Sequence, residues 1–174
     1  MERLSVQQLH ARFIDALGDR VVSHSPIDDK PLEVDLRNPL PPKIRVYIYN
    51  ATFPPGGRKM GEHKVQLIVP GQERGERGNF DRSGGRIPFL LGYRGDIDIF
   101  MIWDAELYID FAYSRNVQVK GETLYEAFAQ GLGRQRRNLL RQPQEVVITA
   151  DASHLIDAIL ERQRETLKRL LGET

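Results

Sequence analysis

The chain has 174 residues, 40% of them hydrophobic, which is enough to bury a core without staples and too apolar for a disordered chain. It contains no cysteine, so disulfides and thiolate metal sites are excluded, and a formal net charge of +1 gives no global pull towards polyanions. No apolar run reaches the ~18 residues that span a bilayer, and Met1-Glu2-Arg3-Leu4-Ser5 lacks the apolar stretch of a secretory leader, so a cytoplasmic location without membrane association is expected.

The first predicted element is a helix over 5–17. Ser5 and Gln8 form a capping-box pattern, Val6, Leu9, Phe13 and Leu17 recur at helical spacing, and Gly18 supplies a stop. A proline-rich passage follows (Pro26, Pro31, Pro39, Pro41, Pro42). It resists helix and reads as an extended connection with a short strand at Leu32-Glu33-Val34. Residues 43–50 alternate apolar and polar at their start and carry β-branched and aromatic side chains, predicting a strand that Pro54-Pro55-Gly56-Gly57 ends. Residues 63–69 predict a second strand, stopped by Pro70-Gly71. The long polar stretch 72–85 holds Gly75, Gly78, Gly84 and Gly85, which keep it out of regular structure.

Strands are predicted at 87–93 and 97–103, joined by a hairpin turn at Arg94-Gly95-Asp96, and two short ones at 111–113 and 117–119. Thr123 and Glu126 form a second capping box, opening a helix to about Gly131. A last strand covers 145–149. Asp151 or Ser153 then caps a long C-terminal helix with Leu155, Ile159, Leu167 and Leu170 near one stripe. This order predicts an α+β fold in a single domain. Residues 1–42 form the N-terminal helix and connection, 43–150 a mainly antiparallel sheet or half-open barrel with an inserted helix, and 151–174 the C-terminal helix.

The residues do not assemble an obvious catalytic or cofactor site. His10, His24, His63 and His154 are not at metal-ligand spacing, and the glycines of 75–85 lie between no strand and helix that would make a phosphate-binding turn. No catalytic residue, metal or cofactor is therefore assigned. A small Mg²⁺-dependent nuclease is the enzyme alternative. Glu62-His63-Lys64 has a Glu-x-Lys spacing and Asp96, Asp98, Asp104 and Glu106 crowd one hairpin, yet no acid between Asp35 and Glu62 supplies an upstream metal ligand.

Charge distribution points elsewhere. Residues 58–86 carry Arg58, Lys59, Lys64, Arg74, Arg77, Arg82 and Arg86, with Asn79 among them, against four acids, Glu62, Glu73, Glu76 and Asp81. Arginine, lysine and asparagine suit phosphates and base edges, and glycines let a backbone approach a duplex closely. Ser114, Arg115 and Asn116 form a second polar loop of the same chemistry. The cluster Arg134, Arg136, Arg137 and Arg141 has no acid inside it, and with the C-terminal helix it defines a third reading, a protein-interaction subunit. Trp103 is expected to fill the core at the end of its strand rather than to stack on an extruded base.

Phe100-x-x-Trp103-Asp104, Phe111-x-Tyr113-Ser114-x-Asn116-Val117-Gln118-Val119 and Thr123-Leu124-x-x-Ala127, preceded by His63-Lys64-Val65-Gln66 and Leu91-Gly92-Tyr93, form a pattern. Over roughly 43–131 it resembles a domain found beside bacterial restriction endonucleases and modification methylases. The resemblance implies a target-recognition domain related to the DNA-binding pseudobarrels, in which a half-open barrel places two arms in the major groove. Its implied partners are double-stranded DNA, with methylated or otherwise modified bases among the targets, and a nuclease domain or subunit. Arg74, Arg77, Asn79, Arg82 and Arg86 would serve one arm, Ser114, Arg115 and Asn116 the other, and Arg58, Lys59 and Lys64 the phosphates.

Overall fold

A computed structural model describes residues 3–52, 61–138 and 144–173. Its elements are α1 (Val6–Leu17), β1 (Val21–His24), β2 (Leu32–Leu36), β3 (Lys43–Asn50), β4 (Glu62–Leu67), β5 (Arg77–Gly78), β6 (Ile87–Arg94) and β7 (Ile99–Trp103). They continue with β8 (Phe111–Ala112), β9 (Arg115–Lys120), α2 (Gly121–Gln130), β10 (Leu132–Arg137), β11 (Glu145–Asp151) and α3 (Leu155–Leu170).

The central layer is a seven-stranded sheet ordered β1-β2-β3-β6-β7-β11-β10. Every neighbouring pair is antiparallel except β3 and β6, which run parallel with Ile44 opposite Ile87 and Asn50 opposite Tyr93. The sheet is open. Strands β1 and β10 form its two ends and do not pair with each other among the described residues, so the closure of a barrel is not seen.

Both faces of the central strands are buried, which is why they read as near-continuous apolar runs. Alternation sends Ile44, Val46, Phe89, Leu91, Phe100, Ile102, Val146 and Ile148 to one face, where Leu9, Phe13 and Leu17 of α1 and Leu155, Ala158 and Ile159 of α3 cover them. Tyr47, Leu90, Met101, Trp103 and Val147 point to the other face. There the two-stranded ribbon β4-β9 supplies Val65, Leu67, Val117 and Val119, and α2 supplies Leu124 and Ala127. The molecule is thus helices, sheet, then ribbon and helix.

Helix α1 starts as its sequence predicts. The Ser5 hydroxyl accepts from Gln8 N at 3.1 Å and Gln8 Oε1 accepts from Ser5 N at 2.8 Å. Asp151 likewise caps the turn that leads into α3, accepting from His154 N at 3.1 Å. The predicted cap of α2 is not used. That helix begins two residues earlier, at Gly121, and the Thr123 carbonyl accepts from Thr149 Oγ1 at 2.7 Å across to β11. The stretch 72–85 is also more ordered than its glycines predict, since β5 lies within it and pairs with β8, and 83–85 forms a 3-10 turn. No helix among the described residues is long and apolar enough to cross a membrane.

Candidate nucleic-acid interface

The two polar segments singled out in the sequence lie side by side. Arg77 pairs with Ala112 and Gly78 with Phe111 in the β5-β8 ladder, and Asn79 Oδ1 accepts from Asp110 N at 2.8 Å. Leu67, at the end of β4, sits opposite Arg115, at the start of β9. The 68–86 segment therefore emerges from the same end of the ribbon where the turn at Ser114 closes. Phe80 roots it, its ring 4.8 Å from that of Tyr47 and 5.3 Å from that of Phe111. Gly78 permits the close approach, because a Cβ there would lie 2.5 Å from Gln72 Oε1 and 2.6 Å from Phe111.

The arginines of this segment divide into two groups. Those at its base are structural. Arg45, buried on β3, bonds the carbonyls of Asp81 and Ser83 and Glu33 Oε1, each at 3.0 Å. Arg86 pairs with Asp35 at 2.8 Å and Glu33 at 3.3 Å and is 16% exposed, so its charge is already neutralised. Arg82 donates to Glu106. Those at the tip are available. Arg77 and Asp110 are 3.6 Å apart with each side chain over 60% exposed, a spacing and exposure at which an ion pair contributes ~1 kcal/mol or less. Arg74 is exposed and makes no ion pair or side-chain hydrogen bond among the described residues.

In the second segment, Ser114 holds the turn with φ of 62°, and Arg115 lies with its guanidinium 4.9 Å from the centre of the Tyr108 ring. Asn116 is exposed on the outward face of β9. Lys64 is half-buried on β4, opposite Gln118. Arg58, Lys59 and Arg141 lie outside the described residues.

The fold also separates the acids that a nuclease would need together. Asp98 accepts from Arg12 Nε at 2.9 Å and from Tyr93 OH at 2.5 Å. Burial alone would raise its pKa, but those two donors hold it below the ordinary carboxylate value. Asp96 is gripped by Arg94 through two bonds of 2.8 Å. Glu62 is on the ribbon, opposite Lys120, and Glu106 takes Arg82. Asp104 is buried in a network that sequence reading does not anticipate. It pairs with Arg169 at 3.0 Å and Arg162 at 3.6 Å, while its backbone N–H donates to Glu145 Oε2 at 3.1 Å. The cluster on β10 is largely spent inside the chain, Arg134 on Glu161 and Glu165 and Arg137 on the Gln118 carbonyl.

His63 shows what the inner side of the ribbon is like. It is buried beside Arg94, whose Nη1 is 3.1 Å from its Nδ1. Burial, and then the neighbouring guanidinium charge, push its pKa down to about 4. The fold accepts the neutral ring, so between about 6.5 and 4 the native state binds fewer protons than the unfolded chain. Stability from this site is present above the unfolded value and is lost as pH falls towards about 4, by roughly 3 kcal/mol. Urea unfolding of the wild type and of His63→Gln across that window checks this. The variant should lose less stability on acidification, and parallel curves would contradict the assignment.

Fold and site together define a mixed α+β module with a rooted, arginine-tipped arm beside a two-stranded ribbon. The methylase-associated X1 family matches residues 42–159, most of the sheet and everything in the interface, and the chain belongs to that family. No curated protein and no solved structure matches it.

Proposed function

We propose that the protein is a duplex DNA-binding module of a restriction–modification system, whose chemistry is supplied by a partner methylase or nuclease. The observation that carries this reading is the β5-β8 pairing. It holds the glycine-rich arm beside the turn at Ser114 and leaves the Arg74 and Arg77 tips in solvent. Arginines fixed at the base and open at the tip are what phosphate gripping requires, since a rooted loop loses little entropy on binding. Membership in a family named for its association with methylases agrees with this. In this reading the two arms correspond to those of a pseudobarrel, although the sheet that carries them is open.

Binding of a labelled duplex across a salt series tests the reading. Affinity should fall steeply with salt, because each neutralised phosphate releases counterions. Arg74→Ala with Arg77→Ala should lower the logarithmic slope by about 2, roughly 1 per phosphate contact. A flat salt dependence would remove the proposal. Repeating the series on methylated and unmethylated duplexes shows whether a modified base is part of the target.

A further inference from the structure

The outward face of the β4-β9 ribbon is polar in an unusual way. Strand alternation turns His63, Val65, Leu67, Val117 and Val119 into the core. The opposite face carries Glu62, Lys64 and Gln66 on β4 and Asn116, Gln118 and Lys120 on β9. Register places these directly across from one another, Gln66 with Asn116, Lys64 with Gln118 and Glu62 with Lys120. Gln66, Asn116 and Lys120 are exposed, and no hydrogen bond or ion pair engages any of the six side chains among the described residues. This contrasts with the neighbouring arginines, nearly all of which have partners. Three carboxamides therefore stand free on one face of a ribbon anchored from behind, where Trp103 Nε1 donates to the Gln118 carbonyl at 2.9 Å.

We infer that this face enters the DNA major groove and reads base edges. The inference rests on the duplex-binding reading above and adds the element that would give it sequence preference. The groove is ~12 Å wide and admits a two-stranded β-ribbon, and asparagine and glutamine are matched to the N6 donor and N7 acceptor of adenine. Same-face positions along a strand repeat every ~7 Å, close to two base-pair steps of ~3.4 Å, so the Gln66–Asn116 and Lys64–Gln118 pairs would address alternate base pairs. Cations flank the amides at both ends. The arm with Arg74 and Arg77 leaves from the end at Leu67, and beyond Gln118 a groove of about 310 Å³ is lined by the cations Lys120 and Arg136 together with Glu62 and the internally bonded Arg137. An amide centre between cationic ends separates base reading from phosphate gripping.

The experiment enriches duplexes from a randomised pool with the wild-type chain and with the double variant Gln66→Ala, Gln118→Ala. The wild type should enrich a short adenine-containing motif. The variant should bind that motif ~5- to 150-fold more weakly for each bidentate amide–adenine pair it can no longer form, with unchanged affinity and salt slope on an unselected duplex. A second probe needs no variant. Replacing the motif's adenines by 7-deazaadenine, which removes the N7 acceptor, should weaken wild-type binding to a similar degree. If the variant selects the same motif with the same affinity, or 7-deazaadenine has no effect, the ribbon does not read bases. A wild type that binds with steep salt dependence yet enriches nothing would overturn this inference alone. A wild type that retains no duplex at low salt would overturn the DNA-binding reading as well.

Discussion

Asp104→Ala should destabilise the protein by about 3–5 kcal/mol, read as a shift in the urea midpoint at unchanged slope. Asp104 is 2% exposed at the end of β7, and one carboxylate oxygen faces both Arg162 and Arg169. Its other oxygen accepts from Glu106 N at 3.1 Å. Arg162 is itself 4% exposed. Burial pulls its guanidinium pKa down, and Asp104 is the strongest of the carboxylates opposing that pull. Removing the aspartate takes from Arg169 the carboxylate it bonds and leaves Arg162 only the weaker pull of Glu145 and Glu165, and an under-compensated buried charge costs more than a pair is worth. Arg162→Met combined with Asp104→Leu should therefore be more stable than Asp104→Ala alone, since it removes the more buried of the two guanidinium charges along with the aspartate. Glu106→Ala, two residues away with its carboxylate in the half-exposed pair with Arg82, should cost ~1 kcal/mol or less. If Asp104→Ala behaved like Glu106→Ala, the network would not be the clamp that joins α3 to the sheet.

That clamp is not legible in the sequence, for a reason shared by most of what the sequence conceals. Its partners, like those of the ion pairs at the base of the arm, are far apart in the chain: Asp104 with Arg169, Glu33 with Arg86, Arg82 with Glu106. Charges at such separations read as a solvated surface until the fold closes them together. The arm therefore reads as richer in available arginines than it is. What is legible has a local cause. The strands β3, β6, β7 and β11 announce themselves by apolar runs, and α1 by the reciprocal bonds of Ser5 and Gln8. Strand β10 does not, because Leu132-Gly133-Arg134-Gln135-Arg136-Arg137 buries little at the sheet's edge and looks like a charge cluster. Alternation in 62–67 and 115–120 is readable as well, and so are the polar types of Gln66 and Gln118. That they share one ribbon face is not, since periodicity does not say which strands leave the main sheet to pair on top of it.

Trp103→Ala should cost about 3–5 kcal/mol, and its local consequence is more informative than its size. Trp103 is the only tryptophan and is fully buried, with its ring between the central sheet and the ribbon. Gly92 on the neighbouring strand makes room for it, since a Cβ there would lie 3.0 Å from the indole and 2.9 Å from Val65. The indole N–H is also a direct tie between the layers, reaching the Gln118 carbonyl. Trp103→Phe separates packing from tie. It keeps a large ring in the site but removes the donor, so it should cost ~1–3 kcal/mol. Because the missing bond holds β9, amides of β4 and β9 should exchange with solvent faster, while those of the β3–β6 ladder, which this bond does not tie, remain protected. A uniform rise in exchange across all strands would mean that the ribbon is not held independently by this contact. Selective loosening would instead show that the surface carrying Gln66, Asn116 and Gln118 takes its rigidity from the core beneath it, and the base reading proposed for that surface needs such rigidity to hold several side chains in register at once.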